Sequence, residues 1–170
     1  MRQLAADYPD FVGRRFTSRA EGVEGILHAA IGMTGELLEL GSSPTRENVV
    51  EELGDIEFYR CAAYRVLGLA WTLVDDRATA PGGWVYVYPS FLAGCESFQD
   101  QAKKCWVYNR PLLKEPFLTP LWVIDSCLKK AYTIFGLDRA VVIQMNMDKL
   151  VKRYPEGYSH ELAAERRDKA

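Results

Sequence analysis

The stretch "GELLELGSSPTRENVVEELGD", Gly35 to Asp55, decides how the rest of the chain is read. It holds six carboxylates, Glu36, Glu39, Glu47, Glu51, Glu52 and Asp55, against a single cation, Arg46. Residues that read as core, Leu37, Leu38, Leu40, Val49, Val50 and Leu53, are interleaved with them. Solvated helix faces usually mix both charge signs, so this bias beside packing residues needs a physical reason. Glu36 and Glu39 are three apart, which puts both on one face of an α-helix. Glu52 and Asp55 repeat that spacing. Between the pairs, Gly41 reads as a helix C-cap, Ser43 as the next N-cap and Pro44 as a first helical residue. The short link predicts an antiparallel helical hairpin that brings the four spaced carboxylates together. Like charges so close repel strongly in a low dielectric unless a cation lies between them. All-oxygen ligands suit Mg2+, with Mn2+ as a substitute, rather than zinc or copper. Glu47, in the first turn of the second helix, and Glu51 read as ordinary solvated charges.

Working outward, the first helix runs from about Arg19 to Leu40, with Val23, Ile26, Leu27, Ala30, Met33 and Leu37 at three- and four-residue steps. The second continues to about Leu69. The segment before them, to about Ser18, contains Pro9, Gly13, Arg14 and Arg15 and reads as an irregular or weakly helical arm. After them, "DDRATAPGGWVYVYPS", starting at Asp75, reads as a loop in which "WVYVY" is at most a short strand. Helical spacing returns over about 90–108, 121–135 and 139–153. Gly136 ends the second of these and Asp138 caps the third. Pro155 and Gly157 then stop the pattern before a polar tail. The class is all-α, a single domain over residues 1–170 with helices packed in pairs.

Composition removes several function classes. With 48% hydrophobic residues in 170, the chain can bury a real core. A net charge of -2 gives no broad nucleic-acid surface. No apolar run approaches the roughly 20 residues that span a bilayer. "MRQLAADYPD" has no hydrophobic region of the signal-peptide kind. The expectation is a cytoplasmic protein with no nucleic-acid and no membrane partner. Cys61, Cys95, Cys105 and Cys127 form no C-x-x-C pair and read as buried thiols, not a zinc site. A di-iron bundle would use Glu-x-x-His motifs, and neither His28 nor His160 stands in one. His28 reads as a packed residue.

"ELLE" from Glu36 to Glu39, twelve intervening residues and "ELGD" from Glu52 to Asp55 resemble the E-x-x-E…E-x-x-D signature of the MazG-like, all-α nucleoside triphosphate pyrophosphohydrolases. "HAAIGMTGELLEL" and "EELGDIEFYR" resemble that family's two metal helices, and "NMDKLVKRYPEGYS" resembles the N-x-x-K-L…R-Y-P segment of its phage and bacterial members. The likeness covers about residues 22–65 and 138–168. Residues of about 71–136 intervene as an insert, where Asp100, Lys103 and Lys104 resemble the D-x-x-K-K helix of longer phage-type members.

The resemblance implies a four-to-five-helix MazG-like bundle, assembled as a homodimer or homotetramer. It implies Mg2+-dependent hydrolysis of a nucleoside triphosphate to the monophosphate and pyrophosphate, with dGTP or GTP the leading substrate. Glu36, Glu39, Glu52 and Asp55 would hold the metal, and Glu36 or Glu39 would orient or deprotonate the attacking water. Asn146, Lys149 and Arg153 share one helical stripe and would meet the substrate's phosphates or sugar, with Lys103 a weaker phosphate candidate. Tyr154 reads as core or a substrate contact. Phe11, Phe16, Trp71, Trp84 and Trp106 are the aromatic candidates for stacking on a base. Two other readings fit the residues. One keeps the fold for another substrate, such as dUTP, dCTP or a phosphoribosyl nucleotide. The other is a non-catalytic acidic helical module that docks a basic partner.

Overall fold

The computed structural model describes residues 2–16, 21–72 and 83–165. Among them are seven helices and no strand: α1 (Arg2–Arg15), α2 (Gly22–Gly41), α3 (Arg46–Val66), α4 (Trp84–Val107), α5 (Glu115–Phe135), α6 (Arg139–Arg153) and α7 (His160–Glu165). α2 packs on α3 and α4, α4 on α5, α3 on α6, and α1 on α3 and α6. Among the described residues no helix is long and apolar enough to cross a membrane. The expected loop over 75–82, the helix start at 19–20 and the tail beyond 165 lie outside the described residues.

The hairpin of α2 and α3 forms around Ile26, Met33, Leu37, Leu53 and Ile56, all fully buried. Its turn differs in detail from the expectation. Gly41 belongs to α2, and the cap is Ser42, whose N–H donates to the Glu39 carbonyl while Ser43 N–H donates to that of Leu40. The hydroxyls of Ser42 and Ser43 also donate to the Glu39 carbonyl, at 3.1 and 3.0 Å. Both serines therefore close α2. The N-cap of α3 is Thr45, whose Oγ1 accepts from Asn48 N at 3.2 Å. Gly41 has another reason to be glycine: a Cβ there would stand 2.6 Å from Tyr88 Oη of α4.

Two expectations are corrected. The arm is a full helix despite Pro9, because Tyr8, Phe11 and Val12 form a stripe that α3 and α6 bury. Packing of that stripe outweighs the hydrogen bond a helical proline forfeits. "WVYVY" is the first turn of α4, not a strand. Val87, Phe91, Cys95, Phe98, Ala102 and Cys105 continue from it at helical spacing and are buried. Five residues alone cannot distinguish the two periods. α5 also begins earlier than expected, with Pro116 in its first turn, where no N–H is needed. Among the described residues α1 and α7 are thus helices beyond the five that the spacing predicts.

A buried ionic network fixes α5 and α6 to α3. The Glu57 carboxylate, fully buried, accepts from Arg139 Nε at 2.5 Å and from Arg60 Nη1 at 3.3 Å. Arg60 Nε donates to Asp125 of α5, and Tyr64 Oη donates to the other oxygen of Asp125 at 2.5 Å. The four cysteines are buried free thiols, and burial pushes Cys61 and Cys95 up to about 12.

Candidate metal and nucleotide site

The helical hairpin brings Glu36 and Glu39 of α2 to Glu52 of α3, with one carboxylate oxygen from each lying within 4.8 Å of the others. Glu39 is exposed, Glu36 half-buried and Glu52 buried. Glu36 and Glu52 lie close enough that ionising one raises the cost of ionising the other. Burial, then the charge of Asp55, then Glu52 and Glu39 push the Glu36 carboxyl up to about 8. Burial raises Glu52 as well. The donor set is all oxygen, compressed and short of positive charge, so it fits a hard divalent cation such as Mg2+ or Mn2+.

Asp55 stands beside this triad but has other partners. Lys149 Nζ reaches its two oxygens at 2.7 and 2.5 Å, and Asn146 Nδ2 donates to it at 2.6 Å. Lys149 also reaches Glu51 at 3.4 Å. Burial pushes Asp55 up while Lys149 and Asn146 pull it down. Glu51 is therefore more than a solvated neighbour: it shares the Lys149 ammonium. Gly54 makes the approach of α6 possible, because a Cβ there would stand 2.9 Å from Asn146 Cβ and 3.2 Å from its Nδ2. Asn146 is 4% exposed, and its Oδ1 has no hydrogen-bond partner among the described residues. With Nδ2 committed to Asp55, the open atom of Asn146 is an acceptor, suited to a hydroxyl and not to a phosphate oxygen.

A cavity of about 280 Å³ opens from these carboxylates. Glu36 and Asp55 line it, with Arg15, Phe16, His28, Tyr59, Arg153 and Tyr154 among the remaining wall residues. Phe16 stacks on His28 at 4.7 Å, and Tyr59 meets both edge-on. Tyr59 lies so close over α2 that a Cβ on Gly32 would stand 2.4 Å from its ring. Burial lowers the His28 pKa, which favours the neutral ring.

Of the residues expected at the site, Glu36, Glu39 and Glu52 converge as a triad, and Asp55, Asn146 and Lys149 form an adjoining cluster. Arg153 lines the cavity. Lys103 lies on α4, paired with Asp100 at 2.8 Å, and is not among the cavity's lining residues. Of the aromatic candidates, Phe16 lines the cavity. Phe11 and Trp71 are core, Trp84 packs on Tyr88 and Phe135, and Trp106 is exposed. Sequence reasoning missed Arg15 and Tyr59 and set His28 aside. The pair Arg14–Arg15 was visible, but its destination was not. Comparison with models of known families, with curated proteins and with solved structures gave no match to this chain.

Proposed function

We propose that this protein hydrolyses a nucleoside triphosphate between its α and β phosphates, using a divalent cation held by Glu36, Glu39 and Glu52, with Asp55 beside them. The observation that carries the reading is the triad itself, with its carboxylate oxygens within 4.8 Å, one member of which, Glu36, lines a cavity with aromatic walls. When bound, Mg2+ would offset the negative charge of the triphosphate and polarise the α-phosphorus. The chain's own residues do the rest. Water oxygen forms a bond to the α-phosphorus while the bridging P–O bond breaks, and pyrophosphate leaves with that bond's electron pair. The water proton passes to Glu36 or Glu39. Lys149 and Arg153 supply positive charge near the phosphates. The open acceptor of Asn146 suits a sugar hydroxyl. Phe16, His28 and Tyr59 offer the flat apolar surface a base requires. A homodimer or homotetramer would cover exposed apolar residues of α4 and α5 such as Trp106, Leu118 and Trp122.

The test is a panel of ribo- and deoxynucleoside triphosphates with Mg2+, dGTP and GTP included, read by separate assays for pyrophosphate and orthophosphate. Monophosphate and pyrophosphate in equal amounts support the reading. Orthophosphate as the direct product contradicts it.

A further inference from the structure

Arg15, the last residue of α1, is a buried cation with no carboxylate partner among the described residues. It is 8% exposed and forms no ion pair among the described residues. Its Nε donates to the Tyr154 carbonyl at 3.1 Å and its Nη2 to the Pro155 carbonyl at 3.2 Å. The guanidinium also sits 4.1 Å from the Phe11 ring centroid. Pro155 ends α6, so these carbonyls need donors from elsewhere. The contact is reinforced beside it: Tyr158 N donates to the Arg14 carbonyl at 3.3 Å. Gly157, at φ +134°, allows that approach, since a Cβ there would stand 3.0 Å from the same carbonyl oxygen.

These bonds fix the guanidinium and use two of its five N–H donors. No carboxylate among the described residues pairs with it, and the group lines the same cavity as Glu36 and Asp55. A buried charge is costly unless an opposite charge meets it. Of the other cations expected to meet phosphate, Arg153 lines the same cavity, whereas Lys149 is already held by Asp55 and Glu51, and Lys103 by Asp100. A planar fork held rigid by two carbonyls matches the oxygens of a phosphate.

We propose that Arg15 is a phosphate-binding residue of the cavity and that it grips the distal phosphates of the substrate, the part that leaves as pyrophosphate. This rests on the cavity taking a triphosphate, but its test does not require turnover. The full chain is titrated calorimetrically with inorganic pyrophosphate, once with Mg2+ and once with EDTA. Arg15→Gln keeps a donor for the carbonyls and removes the charge. It should bind pyrophosphate at least tenfold more weakly than the unaltered protein. Arg65→Gln, which removes an exposed partner of Asp10, should bind as the unaltered protein does. Absence of pyrophosphate binding in both conditions, or equal binding by Arg15→Gln, overturns the proposal. If Arg15→Gln does not fold, crystals of the unaltered protein soaked with Mg2+ and pyrophosphate decide: phosphate oxygens on the Arg15 guanidinium support it, and density elsewhere or none overturns it. Pyrophosphate bound through Arg15 with no triphosphate hydrolysed would refute the hydrolase reading alone. Hydrolysis with unimpaired pyrophosphate binding by Arg15→Gln would refute this proposal alone.

Discussion

Lys149 Nζ of α6 lies 2.5 and 2.7 Å from the two carboxylate oxygens of Asp55 on α3. The pair joins the acidic hairpin to the last long helix, and Glu51 shares the same ammonium. Replacing Lys149 by Met leaves Asp55 and Glu51 without their counter-ion. Charged hydrogen bonds of this kind contribute about 2 kcal/mol each. The variant should melt several degrees lower without metal, by circular dichroism, and regain part of that loss when Mn2+ is added. A variant as stable as the parent would show the pair to be incidental.

Metal binding should depend on pH with a definite sign. The Glu36 carboxyl, pushed up to about 8 by burial and neighbouring acids, holds a proton through most of the range from 4.5 to 8. A cation must displace that proton, so affinity for Mg2+ or Mn2+ should rise with pH up to about 8 and then level off. Calorimetry in buffers of different ionisation enthalpy should register close to one proton released per ion near pH 7. The metal-free fold has the opposite trend. Its folded state binds more protons than the unfolded chain between these values, so its stability should fall as pH rises from 5 to 8. Affinity independent of pH would contradict the raised Glu36 carboxyl.

Two glycines in the opening motif should respond oppositely to alanine. Gly54→Ala places a Cβ 2.9 Å from Asn146 Cβ and should push α6 away from Asp55. Overpacking of this kind costs roughly 1–3 kcal/mol, and activity should fall at least tenfold. Gly35 has nothing within 4 Å of its would-be Cβ. There, alanine should raise stability by up to about 1 kcal/mol, through helix propensity. Chemical denaturation of both variants checks the pair.

Glu57 lies two residues beyond Asp55 on the same acidic helix, yet its partners are Arg139 and Arg60 in the interior. Glu57→Gln removes the charge that both guanidinium groups face. Breaking a fully buried ionic contact costs about 3–5 kcal/mol, so the variant should unfold far more easily while metal affinity per folded molecule is unchanged. A stable variant that no longer binds Mn2+ would place Glu57 in the metal site instead.

Much of this was legible in the sequence, and the rest was hidden for identifiable reasons. The α2–α3 hairpin could be read because its apolar spacing and its link are local. The Asp138 cap of α6 was equally plain: its carboxylate accepts from Ala140 N and Val141 N. The convergence of Glu36, Glu39 and Glu52 follows from i,i+3 spacing folded across one turn. The helical state of α1 was not readable, because Pro9 argues against a helix locally and only burial against α3 and α6 settles it. Arg15 was hidden more deeply. Its carbonyl partner Tyr154 lies 139 positions later, and nothing near Arg15 in sequence announces that contact. Lys103 misled in the other direction: its spacing from Asp100 resembles a family pattern, but the same spacing makes an ordinary i,i+3 ion pair on an exposed face.

Whether the triad holds a cation for cleavage between the α and β phosphates is tested most directly by the products formed from a nucleoside triphosphate in Mg2+, comparing the unaltered protein with Glu52→Gln. The expected result is monophosphate and pyrophosphate in equal amounts, dependence on Mg2+, and loss of at least a hundredfold in rate for Glu52→Gln with its helical circular dichroism intact. Hydrolysis that persists undiminished in Glu52→Gln, or that yields diphosphate and orthophosphate, would contradict it.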